Sequence, residues 1–329
     1  MKRKIVFCFA AFFCSFLIFA EGENLKIRVG LLNGPTCIPS AYLMENTKSV
    51  SKDDFSAELE FQKFADPQAL LPKLIKKEID IGFMPLNVAA KVYNSGNKSL
   101  VCVAVTGLGN LSLITNDSQI QRFSDLKGKT VYVAGQGATP EYLLKYLLQE
   151  NKISYGEKGD VKLDFSIPTA QLASQLISGK IQYAVMPEPF VTIAKLKSEN
   201  QFYILDLQKE YLELSGAKNI YPLSVMVVRA DFAKQNPQLL EVFLSEFEKS
   251  VAWTVENPVL AGELSQKFEL GLSALVVEKS IPLSNYVFIF AKDAESEIKD
   301  LLSIFMKGDK NSIGGKLPDS GFYYDKKKS

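Results

Sequence analysis

The stretch TVYVAGQGATPEYLLKYLLQ, residues 130–149, passes from an apolar strand pattern through a glycine-containing loop into a helix opened by Thr139 and Pro140. Gly135 and Gly137 let a backbone approach a ligand closely or simply make a turn. Gln136 offers both a donor and an acceptor, and Thr139 can bind a ligand or only cap its helix. The loop has no lysine, so it is not a Gly-x4-Gly-Lys-Ser/Thr phosphate loop. Nor does it carry the third glycine of a dinucleotide fingerprint, because Thr139 and Pro140 follow Gly137. What it offers is hydrogen-bonding surface for a small solute.

Other candidates stand at comparable turns. Met84-Pro85 and Met186-Pro187 end two apolar runs, and proline at a helix start is common, so both prolines read as structural. The residues after them, Leu86, Asn87 and Glu188, are better placed to touch a ligand. Asn33, Pro35 and Thr36 close the first apolar run, and Asn110 lies in a Gly-Leu-Gly-Asn stretch that serves equally well as a plain turn. Tyr42, Tyr142 and Tyr221 lie on or beside these loops, where a ring can stack on a planar ligand or fill core.

Composition removes several chemistries. The chain has no histidine, which excludes Ser-His-Asp and Cys-His catalysis and most zinc sites, and no cofactor is implied. Its 38 basic and 37 acidic residues leave no charge bias that would recruit nucleic acid. Residues 33–40, 85–90, 107–110, 135–142 and 186–190 contain no basic side chain, whereas Glu141 and Glu188 are present. A small anion gains most from charged donors, so these loops suit an amino-bearing or cationic solute better. Glu141, in the first turn of its helix, reads as a structural partner of the helix dipole. Glu188 reads equally as a ligand contact or a helix-start residue.

The N-terminus sets the compartment. Lys2, Arg3 and Lys4 precede an apolar run over residues 5–20, broken by Cys8, Cys14 and Ser15, and Glu21-Gly22-Glu23 follows. That is the layout of a secretory signal peptide cleaved after Ala20, and the run falls short of the roughly 20 residues a spanning helix needs. Cys14 is a candidate lipid-bearing residue, but bulky Phe13 stands before it where that processing wants a small one, so a tether is not favoured. Cys37 and Cys102 remain. An oxidising compartment permits a bridge, and two buried thiols fit the spacing as well.

The elements that must position these residues alternate. LKIRVGLL, AELEFQKF, IDIGFM, LVCVAV, TVYVAG, VKLDFS, IQYAVM and QFYILD read as strands, separated by helical segments such as PQALLPKLIKKE and TPEYLLKYLLQEN. Mostly parallel sheets flanked by helices follow, an α/β class. After Arg229 the pattern reads as helix only.

The chain also echoes itself. Residues 68–90 lie without a gap on 170–192: Leu70 on Leu172, Leu74 on Leu176, Ile79 on Ile181, and Met84-Pro85 on Met186-Pro187. IRVGLLNGPTCIPSAYLM matches TVYVAGQGATPEYLLKYL at nearly the same offset. Two α/β units whose loops face each other make a cleft at the carboxyl ends of their strands. The apolar stretches 107–117 and 221–232 read as paired hinge strands, which permit closure on a ligand. Residues 24–113 and 221–329 then form one lobe and 114–220 the other.

LPKLIKKEIDIGFMPLNVAAKVYNSG, GLGNLSLIT, DLKGKTVYVAGQGATPEYLLKYLLQENKI, QLISGKIQYAVMPEPFVTIA and IGGKLPDSGFYY, in that order, span nearly the whole mature chain. In this the sequence resembles the type II solute-binding proteins of ABC importers, in the nitrate, sulfonate, taurine and thiamine-pyrimidine binding group. The resemblance implies a two-lobed periplasmic-binding-protein type II fold and an exported, monomeric, non-enzymatic protein. Such a protein delivers a small solute to an ABC permease and its cytoplasmic ATPase. An amino-bearing heterocycle such as a thiamine-type pyrimidine is favoured, with sulfonate, nitrate or taurine as alternatives. Yeast relatives that make the pyrimidine consume a histidine of their own, which this chain lacks. Two-lobed dehydratases of menaquinone synthesis are expected in the cytoplasm. A sensory or adhesive surface protein on the same fold is the remaining alternative.

Overall fold

The computed structural model describes residues 25–95, 98–199 and 201–325. The signal peptide expected over residues 1–20, and Cys14 within it, lie outside the described residues. Among the described residues no helix is long and apolar enough to cross a membrane.

In chain order the strands are β1 (Leu25–Leu32), β2 (Ser49–Lys52), β3 (Phe55–Phe64), β4 (Ile81–Pro85), β5 (Leu100–Leu108), β6 (Leu111–Thr115), β7 (Thr130–Val133), β8 (Lys162–Asp164), β9 (Tyr183–Pro187), β10 (Tyr203–Asp206), β11 (Pro222–Arg229) and β12 (Tyr286–Phe290). The helices are α1 (Ala41–Asn46), α2 (Pro67–Ile75), α3 (Leu86–Asn94), α4 (Thr139–Glu150), α5 (Thr169–Ile177), α6 (Phe190–Lys197), α7 (Leu207–Ser215), α8 (Ala230–Gln235), α9 (Pro237–Glu256), α10 (Pro258–Lys267), α11 (Ala274–Ser280) and α12 (Glu295–Gly308). Two sheets result, a seven-stranded one ordered β12-β5-β11-β4-β1-β3-β2 and a five-stranded one ordered β10-β6-β9-β7-β8.

The echo in the sequence is an echo in space. β3-β1-β4 forms a parallel unit in the first sheet and β8-β7-β9 its counterpart in the second. Gly30 pairs with Gly82 and Tyr132 with Ala184, and Gly82 and Ala184 are matching positions of the two units. Helix α2 before β4 corresponds to α5 before β9, each nine residues long. Leu70 and Leu74 on α2, like Leu172 and Leu176 on α5, are fully enclosed. Burying each such leucine stabilises the packing of helix on sheet by about 1.5–3 kcal/mol. Gly30 in β1 is required by that packing, because a Cβ there would lie 2.3 Å from Leu70 Cδ1.

Outside these parallel units the strand pairs are antiparallel, six against four, so the sheets are mixed rather than mostly parallel, and most of the antiparallel pairs belong to strands that carry the chain between sheets. β5 passes into β6, and β10 leads through α7 to β11, which returns between β4 and β5. At the crossing the Gly109 amide donates to the Tyr221 carbonyl at 2.9 Å. A Cβ on Gly109 would sit 2.3 Å from the Tyr221 ring, so the two passes of the chain lie in close contact.

One element corrects the sequence reading. The region after Arg229 is not helix only: β12 adds to the outer edge of β5, with Phe290 opposite Ala104 and Tyr286 opposite Gly107. A short apolar run such as YVFIF has no length to mark it as strand or helix, and the free edge of β5 decides it. Cys37 and Cys102 are separate, buried free thiols. Cys37 Sγ donates to the Gly34 carbonyl at 3.0 Å.

Candidate functional site: an inter-lobe crevice

The carboxyl ends of β1, β4, β7 and β9 deliver four loops to the space between the sheets. The first is held from both sides: the Asn33 amide donates to Phe64 O at 2.9 Å and the Gly34 amide to Leu270 O at 3.2 Å. Gly34 has a φ of 106°, which favours glycine. The Asn33 side chain is exposed, and Thr36 Oγ1 donates back to the Leu32 carbonyl at 3.3 Å. Pro35 presents its carbonyl to the Tyr286 hydroxyl at 2.9 Å.

The second and third loops meet. Asn87, fully buried at the start of α3, donates through Nδ2 to the Gly137 carbonyl at 2.8 Å and to the Ser312 carbonyl at 3.3 Å. Thr139 Oγ1 donates to Asn87 Oδ1 at 3.4 Å. The Gly137 amide in turn donates to Glu141 Oε2 at 2.7 Å, and Lys145 holds the other oxygen of that carboxylate. Glu141 therefore fixes the loop, while Gly137 and Thr139 are engaged by the opposite lobe. Gln136 stands exposed at the rim.

The fourth loop joins the hinge. The β6–β9 ladder, with Leu111 opposite Pro187, continues one step as the Glu188 amide donates to the Asn110 carbonyl at 3.2 Å. That bond brings the two residues together at the end of the ladder, just past the last paired residues of β6 and β9. Both are buried, Glu188 at 5% exposure and Asn110 at 7%. Asn110 Nδ2 donates to the Ser284 carbonyl at 3.1 Å, but its Oδ1 is buried without a hydrogen-bond partner. Glu188 Oε2 accepts from the Thr192 amide at 3.1 Å. Burial raises the Glu188 carboxyl above its ordinary value, opposed by the Thr192 hydrogen bonds and the charge of Lys195. Tyr286 is raised as well, chiefly by burial, with the Glu188 charge adding to it. Glu188 and Asn110 Oδ1 are thus buried acceptors, and the segments 33–40, 85–90, 107–110, 135–142 and 186–190 carry no basic side chain.

Four of the expected contacts already pack against protein. Leu86 is fully enclosed in the apolar core. Tyr221 is buried at the hinge, where its hydroxyl donates to Gln208 Oε1 at 2.5 Å and its ring meets Tyr211 edge-on. Tyr42 stacks on Trp253 of α9 with ring centroids 4.4 Å apart, so one of its faces is already covered. Tyr142 likewise packs against Phe305 of α12. Ser284 and Tyr286 are the residues sequence reasoning missed. Their signal was the Ser-Asn turn before an aromatic and β-branched run, a strand start hidden among helices.

A family model described as NMT1/THI5 like matches residues 58–261, from β3 into α10. The chain belongs to the NMT1/THI5-like family. That match crosses both lobes of this NMT1/THI5-like protein. No curated protein matches the chain. Among solved structures, an ABC transporter protein from Parabacteroides distasonis is 24% identical, with a TM-score of 0.75 over 92% of this chain and 99% of that one. The periplasmic aliphatic sulphonate binding protein SsuA from Escherichia coli is 17% identical, with a TM-score of 0.66 over 89% and 92%. The periplasmic nitrate-binding protein NrtA from Synechocystis PCC 6803 is 12% identical, with a TM-score of 0.61 over 88% and 84%. The NMT1/THI5-like chain shares their two-lobed fold.

Proposed function

We propose that this NMT1/THI5-like protein is an exported, monomeric solute-binding protein that captures a small amino-bearing or cationic molecule between its lobes. It hands that solute to an ABC permease driven by a cytoplasmic ATPase. Residues 24–113 and 221–329 act as one lobe and 114–220 as the other, closing about the paired crossings near Gly109 and Tyr221.

The observation that carries the reading is the pair Glu188 and Asn110 at the hinge. A buried carboxylate and a buried, unpartnered amide oxygen are both acceptors. Leaving the Asn110 oxygen unpaired is unfavourable, and a ligand N–H or ammonium satisfies it while adding to the Thr192 hydrogen bonds of Glu188. A sulfonate or nitrate would meet that carboxylate with no basic residue in the surrounding loops to offset it. A thiamine-type aminopyrimidine has the planar ring and exocyclic amine that suit the site. With no histidine in the chain, Ser-His-Asp and Cys-His catalysis are excluded.

Native mass spectrometry of the protein purified from its own host tests this. A retained small molecule bearing an amine is expected, on a monomer. A retained sulfonate, or conversion of an added solute, would replace the reading.

A further inference from the structure

The loop after β7, whose glycines and threonine suggest a ligand cradle, holds another part of this chain instead. Its Gly137 carbonyl and Thr139 hydroxyl both engage Asn87, across the crevice and 50 residues or more away in sequence. Asn87 is fully buried, and its second amide hydrogen goes to the Ser312 carbonyl in the 3-10 turn after α12. That turn is itself pinned to α3, because Asn94 Nδ2 donates to the Ile313 carbonyl at 2.7 Å and the Lys316 carbonyl at 2.6 Å. On the other side, the Gly137 amide is anchored by Glu141 and cannot swing away freely. Both ends of the Asn87 bridge are therefore rigidly mounted, one in each lobe.

We propose that Asn87 is a positioning residue for solute capture: a clasp that draws the lobes together before any solute arrives, not a solute contact. All its side-chain polar atoms are engaged with protein, and two of its three partners belong to the opposite lobe. A solute that binds the closed form then meets a population already shifted toward it. The consequence for affinity rests on the solute-binding reading; the clasp itself does not.

Two variants test the clasp in solute-free protein. Asn87→Ala removes the whole bridge, and Thr139→Val removes only the Thr139 hydroxyl while keeping the side chain's shape and the Ser312 contact. Small-angle scattering and the distance between spin labels on exposed Ser56 and Ser174, one on each lobe, are measured with far-UV circular dichroism as the folding control. The expected result is a larger radius of gyration and an altered label distance in Asn87→Ala. That corresponds to roughly a tenfold loss in the closed-to-open ratio, with a smaller change in the same direction in Thr139→Val. Unchanged scattering and label distance in a folded Asn87→Ala would overturn the proposal. Should Asn87→Ala fail to fold, an unchanged Thr139→Val would do the same. Because no solute is present, failure here leaves the solute reading standing. Failure to bind any solute leaves the clasp standing.

Discussion

Glu188 and Asn110 are joined at the hinge by the Glu188 amide, which donates to the Asn110 carbonyl at 3.2 Å. Both stand at strand ends of the five-stranded sheet, and Asn110 Nδ2 reaches across to the Ser284 carbonyl before β12 of the seven-stranded one. Their chemistry determines how binding depends on pH.

Burial raises the Glu188 carboxyl, so the folded protein holds that proton more tightly than the unfolded chain does. Its contribution to stability is therefore full below the unfolded value and is lost as pH rises through the folded one. Binding of a cationic solute runs the opposite way, because it needs the carboxylate. Affinity for such a solute is expected to rise as pH climbs through the raised value, and Glu188→Gln is expected to flatten that rise. Calorimetric titrations from mildly acidic to neutral pH check both.

At the opposite end of the first sheet, Asp80 is almost fully buried and ties three strands together. Its carboxylate accepts from Arg28 Nε and Nη2 at 2.9 Å and from Arg229 Nη2 at 2.8 Å. Asp80→Ala leaves the buried Arg229 guanidinium with Asp231 as its remaining carboxylate, and a loss of about 3 kcal/mol in urea unfolding is expected, the low end for a broken buried pair. Arg28→Ala should cost less, since Arg28 is partly exposed to water.

Cys37 is fully buried and its thiol is pushed up to about 12 by that burial. Cys102 is raised in the same direction for the same reason. Neither supplies thiolate near neutral pH, so thiol reagents are expected to leave both unmodified in the native protein and to label both in denaturant. Peptide mapping after alkylation reads this out. Labelling of Cys37 in the native state would mean that the first crevice loop opens.

The repeated units were legible because their signal is apolar periodicity, which Leu70 and Leu172, or Met84-Pro85 and Met186-Pro187, carry within a few residues. β12 was not, since Tyr286–Phe290 becomes a strand only by pairing with β5, far away in sequence. The loop at 135–139 shows the same limit at the site. Its glycines were readable as turn residues, and both Gly135 and Gly137 do take positive φ. That its polar groups meet Asn87 and Glu141 depends on how two lobes close, which local spacing does not encode. Likewise Tyr221 and Tyr42 were readable as aromatic residues beside loops, but their partners, Gln208 and Trp253, are set by tertiary packing.

The most direct measurement is isothermal titration of the wild type and Glu188→Gln with an aminopyrimidine and an alkanesulfonate. One-to-one binding of the aminopyrimidine is expected, weakened by about 1.5–3 kcal/mol in Glu188→Gln, the worth of a hydrogen bond to a charged group, with no binding of the sulfonate. Tighter binding of the sulfonate by the wild type, or an aminopyrimidine affinity unchanged by the substitution, would contradict the acceptor-lined site.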